Sequence, residues 1–131
     1  MIRRRNVGGK IFAFLITKVR LIRVRCSMTV EKFRSLALSI PGASESAHMG
    51  HPDFRLEGRV FATLGYPDER HGMVKLASQQ QKKFMKMAPE VFRPCAGAWG
   101  RRGATAVRLA SARVGLIRAA LEEARRTAIR K

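Results

Sequence analysis

The sequence predicts an α+β domain in two layers, with helices covering one antiparallel sheet. Three observations predict it. Apolar residues recur at helical spacing at both ends of the stretch from Met28 onward, and short apolar runs broken by Gly, Pro and Asp lie between them. The third is the balance of 46% hydrophobic and 27% charged residues over 131 positions, which suits one globular domain with one core.

The elements follow in order. Thr29 is an N-cap before Val30-Glu31, with Glu31 well placed for the helix dipole, and Phe33, Leu36, Ala37 and Ile40 follow at i, i+3, i+4 and i+7. Pro41-Gly42 stops this helix. From Ser46 to Leu76 the texture is a meander of antiparallel strands: Phe54-Arg55-Leu56, a Glu57-Gly58 turn, Val60 to Leu64, a loop from Gly65 to Gly72, and Met73 to Leu76. Ser78 is placed to cap a helix running from Gln79 to Met87, and Pro89-Glu90-Val91-Phe92 reads as one further turn before Pro94. Gly97 to Gly103 reads as a tight turn region. Ala104 to Leu109 then forms a strand with Thr105, Val107 and Leu109 on one face and Arg108 on the other. Ser111 is expected to cap a last helix whose Val114, Ile117, Leu121, Ala124 and Ala128 make an apolar stripe, weakened at Gly115.

The charge sets the partner class. Lys and Arg number 27 against 9 Asp and Glu, a formal net charge of +18, which points to a polyanion such as nucleic acid or to an anionic membrane surface. Eight of the cations, from Arg3 to Arg25, lie within residues 1–27 beside no acid; without them the remainder keeps a net charge of +10. The run Ile11 to Ile16 is far shorter than the roughly 20 apolar residues of a membrane span and is followed by four cations, so neither a span nor a secretory signal is expected. Val19 to Arg25 alternates like a strand, or suits a basic anchor. The composition break at Met28 makes residues 1–27 a basic extension outside the native fold and 28–131 the single domain. Two cysteines, Cys26 and Cys95, do not make a disulfide framework and fit free thiols in a reducing cytosol.

A set of segments in fixed order carries a resemblance: His51-Pro52-Asp53-Phe54-Arg55, Gly58 to Leu64, Lys75-Leu76, Pro89-Glu90-Val91-Phe92-Arg93-Pro94, and above all Gly97-Ala98-Trp99-Gly100-Arg101-Arg102-Gly103. From Met28 to about Ile129 the chain resembles the MmcQ/YjbR family of small bacterial proteins. The resemblance implies the order α-β-β-β-α-β-β-α, a fold similar to type III secretion chaperones, and DNA binding through a proposed double-wing motif. Two departures stand out. Ala104 occupies the place of the family's usual second aromatic after the Trp-Gly turn, and residues 1–27 have no counterpart.

Several residues carry candidate chemistry. Gly100-Arg101-Arg102-Gly103 is a G-x-x-G turn that suits a phosphate clamp, with backbone N–H groups and two Arg forks at its tip, or equally a turn whose arginines are simply solvated. Trp99 is either a stacking surface for a base or, the preferred expectation, an anchor of its loop against the sheet. Lys75 and Arg59 can extend a basic face with Arg108, or merely keep an open sheet face soluble. Arg93, Arg113, Arg118, Arg125, Arg126 and Arg130 add basic surface, partly offset by Glu122 and Glu123. His48 and His51 with Asp53 resemble the start of a metal site, but a third ligand would have to come from far along the chain. Cys95 has no neighbouring group to activate it, and no carboxylate pair, P-loop, G-x-S-x-G or H-E-x-x-H occurs.

The expected function is therefore non-enzymatic, cytoplasmic nucleic-acid binding, DNA before RNA. Its expected contacts are Arg101, Arg102, Lys75, Arg59, Arg93, Arg108 and Trp99, with no metal and no cofactor. The alternative is a protein-interaction adaptor whose basic surface meets an acidic partner. Nothing in the sequence sets an oligomeric state.

Overall fold

The computed structural model describes residues 28–129. The basic extension, Cys26 and Arg130 lie outside the described residues. The elements run α1 (Val30–Leu38), β1 (Ser44–His48), β2 (His51–Leu56), β3 (Arg59–Leu64), β4 (His71–Lys75), α2 (Ser78–Met87), β5 (Phe92–Pro94), α3 (Gly97–Arg101), β6 (Ala104–Arg108), a 3-10 turn (Leu109–Ser111) and α4 (Val114–Ile129). The strands form one six-stranded antiparallel sheet in the order β1-β2-β3-β4-β6-β5. The α+β class and the antiparallel sheet are as the sequence predicts.

Local chemistry explains most of the boundaries. Thr29 Oγ1 accepts the Lys32 N–H at 3.0 Å and caps α1, which buries Phe33, Leu36 and Ala37. Both early hairpins turn on two residues with positive φ, Met49-Gly50 (52° and 82°) and Glu57-Gly58 (51° and 80°), the signs that a type I′ turn requires. The first of these hairpins adds β1, a strand of polar residues that apolar patterning does not reveal.

Three other expectations are corrected. Neither serine caps its helix: α2 has Ala77 at its N-cap position with no side-chain hydrogen bond there, and Ser111 belongs to the 3-10 turn ahead of α4. The further turn forms over 89–91, where the N–H groups of Val91 and Phe92 donate to the Ala88 carbonyl, but its last residue already opens β5, because Phe92 pairs with Val107 and packs on Phe84 with ring centroids 5.3 Å apart. The Gly97 region holds the short helix α3.

Registered partners share a sheet face. One face carries Phe54, Leu56, Ala62, Leu64, Val74, Val107 and Phe92, all in the main core together with Phe33 and Leu36 of α1, Phe84 of α2, and Ile117 and Leu121 of α4. The helical layer covers this face, and Phe33 meets Phe54 at 6.4 Å. Val114, the first residue of the expected α4 stripe, is exposed, while Ile117, Leu121, Ala124 and Ala128 are buried. The opposite face carries Asp53, Arg55, Thr63, His71, Met73, Lys75, Ala104, Ala106, Arg108 and Arg93. Part of it is closed by a small second cluster of Met73, Cys95, Ala104 and Ala106 against Tyr66. The rest is open.

Candidate nucleic-acid interface on the open sheet face

The strands of the open face carry three of the seven expected contact residues, and Trp99 of α3 borders the face as a fourth. Lys75 lies at one end of β4, and Arg108 opposes His71 at the other end. Arg93 shares that side through its register with Ala106. All three side chains are exposed, and among the described residues none of them is in an ion pair. Arg70, Arg93 and Arg108 line one recess of about 370 Å³ with His71, in which Glu90 is the single acid. Three arginines lining one recess give it a positive potential that suits an anion.

His71 is held in place at the edge of this recess. Its Nδ1 lies 2.8 Å from Asp68 Oδ1, and the same oxygen accepts the Arg70 N–H at 2.8 Å. These hydrogen bonds, His71 first, hold the Asp68 carboxyl below its ordinary pKa.

A second and wider cleft of about 630 Å³ lies toward the Lys75 end of the same face. Trp99 and Tyr66 form one wall, in T-shaped contact with ring centroids 5.2 Å apart. Trp99 is 37% exposed, so it is not the core anchor expected from its place between glycines. The floor carries Arg55 and Asp53. Asp53 is 2% exposed, and its two oxygens accept hydrogen bonds from Arg55 Nε and Nη2 at 3.0 and 3.1 Å, a fork that fixes the guanidinium beside the carboxylate. His51 and Thr63 complete the polar lining, and Thr63 Oγ1 is buried with no hydrogen-bond partner in the structure.

The G-x-x-G segment is built differently from a phosphate cradle. The N–H of Arg102 donates to the carbonyls of Ala98 and Trp99, and that of Gly103 to Gly100, so these two amides point inward. The glycines answer close backbone packing instead. A Cβ on Gly100 would collide with the Cys95 carbonyl, and one on Gly103, where φ is +111°, with the Leu76 carbonyl. Buried Gln81 clamps the segment by donating from Nε2 to the oxygens of Gly100 and Ala104 at 2.9 and 3.1 Å. Arg101 and Arg102 themselves are exposed at the end of α3.

Arg59 departs from the group altogether. The register shift between Phe54 and Arg55 leaves Phe61 as an extra residue in β3, and the alternation flips there. Arg59 therefore pairs with Leu56 on the covered side, where its Nη1 donates to the Ala128 carbonyl of α4 at 3.2 Å. Missed from the sequence were Arg55, Tyr66, Arg70 and Thr63. The alternation Phe54-Arg55-Leu56 was signal enough for Arg55; the other three depend on how a loop and a register fall.

Cys95 is buried beside this face, and burial pushes its thiol up to about 11. Among the described residues no three His, Cys, Asp or Glu side chains gather as a metal site, and no helix is long and apolar enough to cross a membrane.

An α+β domain with its three longer helices on one side of an antiparallel sheet and a cation-lined, ring-walled cleft on the other is the class these features define. The chain belongs to the YjbR family, whose model matches residues 38–127. Its fold is similar to that of a crystallised Deinococcus radiodurans protein with a DUF419 domain, with a TM-score of 0.66 at 15% identity over 80% of this chain and 81% of the other. No curated protein matches it.

Proposed function

We infer that the protein is a non-enzymatic, cytoplasmic nucleic-acid-binding domain that holds phosphates on its open sheet face, DNA before RNA. The observation that carries this reading is the exposure of Lys75, Arg93 and Arg108 on one face with no ion-pair partner among the described residues. Several acids are occupied by other cations: Glu45 by Arg34, Glu122 and Glu123 by Arg125 and Arg126, and, on the open face itself, Asp53 by Arg55. Lys75, Arg93 and Arg108 thus keep their charge on the open face, which suits a polyanion partner. Affinity then comes mainly from phosphate contacts, which position a strand without reading its sequence. Arg101 and Arg102 act in this reading as flanking cations at the end of α3, contributing by charge alone.

The test is binding of fluorescein-labelled duplex and single-stranded DNA, followed by anisotropy at about 50 mM salt. Binding that weakens as salt rises is expected. No binding to either form would overturn the reading, and binding to polyglutamate in its place would assign the surface to an acidic protein partner.

A further inference from the structure

We propose that the Trp99–Tyr66 cleft takes an unpaired nucleobase, so that the open face selects single-stranded over duplex nucleic acid. This rests on the nucleic-acid reading above and deepens it. Phosphate contacts alone do not discriminate the two forms; the cleft does.

Three features of the cleft point to a base. The first is the wall. An indole that is 37% exposed, braced by a phenol ring at 5.2 Å, offers a rigid aromatic surface beside cations. In a duplex the base faces are already stacked on each other, so only an unpaired base can bring its face to such a surface. The second is shape, because the cleft is a recess of about 630 Å³, roomy enough for a base and its sugar, and not a flat surface for a rod. The third is the floor. Arg55 lines it together with Asp53 and Thr63, and its fork to Asp53 uses Nε and Nη2. A base edge carries acceptors for the N–H groups of the guanidinium that this fork does not use. An aliphatic or acidic peptide side chain supplies either no ring face or no paired donor and acceptor edge.

The phosphate recess lies where a strand leaving the cleft would run. His71 borders the recess and Lys75 the cleft, at the two ends of β4, four strand steps or about 13 Å apart. A single strand seated at Trp99 that passes over the cover formed by Tyr66 on Met73 brings its backbone toward Arg70, Arg93 and Arg108.

The experiment exploits composition, because Trp99 is the chain's one tryptophan and its emission reports this cleft alone. The full chain is titrated with oligothymidylate of about 12 nucleotides and with the same strand annealed to its complement. The single strand should quench Trp99 emission and bind more tightly than the duplex, which leaves emission nearly unchanged. Trp99→Ala should weaken single-strand binding by about 5- to 150-fold and change duplex binding less than about twofold, while Trp99→Phe keeps most of the single-strand affinity. Circular dichroism and an unchanged melting temperature show that each variant is folded. Equal binding of both forms without quenching, and with no effect of Trp99→Ala, would overturn base insertion and leave the phosphate reading standing. Failure of both forms to bind would remove the phosphate reading and this inference together.

Discussion

Cys95 shows how one side chain's surroundings set its chemistry. It follows β5 inside the small cluster with Met73, Ala104 and Ala106, and desolvation raises its thiol from an ordinary value near 9 to about 11. The thiolate is the reactive form, so at pH 8 the native protein should resist alkylation at this position. With Cys26 replaced by Ala, iodoacetamide labelling is expected to be slow at pH 8 and to become rapid only when the chain is unfolded; rapid native labelling would contradict the burial. The linkage sign follows. A thiol that ionises more easily unfolded than folded leaves stability intact below about pH 9 and lowers it as pH rises from there toward about 11. Arg55 makes a different point at the same scale. Strand alternation alone places it beside Asp53 on the uncovered face, but its bidentate fork to a buried carboxylate depends on both side chains lying on that face with no other partner for the acid.

Two glycines separate close packing from mere composition. Gly100 lies in α3 where any Cβ meets the Cys95 backbone, and backbone does not step aside, so Gly100→Ala should cost on the order of 1–3 kcal/mol and lower the melting temperature. Gly115 lies in α4 with open space around it, and Gly115→Ala should stabilise by up to about 1 kcal/mol. Opposite shifts in thermal denaturation check the pair, and equal shifts would mean that the α3 packing is misplaced. The legibility of the elements follows the same physics. The helices α1 and α4 and the strands β2, β3, β4 and β6 were readable because each buries a patterned apolar face, whereas α2 buries only Gln81 and Phe84 and was read from a Ser78 cap that it does not use. Strand β1 was not, since Ser44 to His48 lies at the sheet edge with a polar face. Helix α3 was hidden by its own glycines, which ordinarily mark turns. The bulge at Phe61 is invisible to alternation, and it is what removed Arg59 from the basic face.

Over the whole molecule the informative quantity is where the charge lies rather than how much there is. Residues 1–27 carry eight cations and will raise binding to any polyanion. We propose that they are an addition to a domain complete from Met28, whose side chain is 5% exposed and whose N–H donates to the Leu109 carbonyl at 2.9 Å. A chain beginning at Met28 should keep its melting transition and lose affinity for single strand and duplex alike; unfolding on truncation would place the extension in the core.

The measurement that most directly tests the open face as the binding surface is the salt dependence of oligothymidylate binding in two triple variants of equal charge change. One replaces Lys75, Arg93 and Arg108 by Ala. The other replaces Lys82, Lys83 and Lys86, exposed lysines of α2, a helix whose Phe84 packs into the core on the covered side. The slope of log K against log salt is about −0.7 per single-strand phosphate neutralised, so the open-face variant should be shallower by about 2 while the α2 variant stays close to wild type. Equal changes in the two slopes would contradict the account, because binding would then follow total charge and not this face.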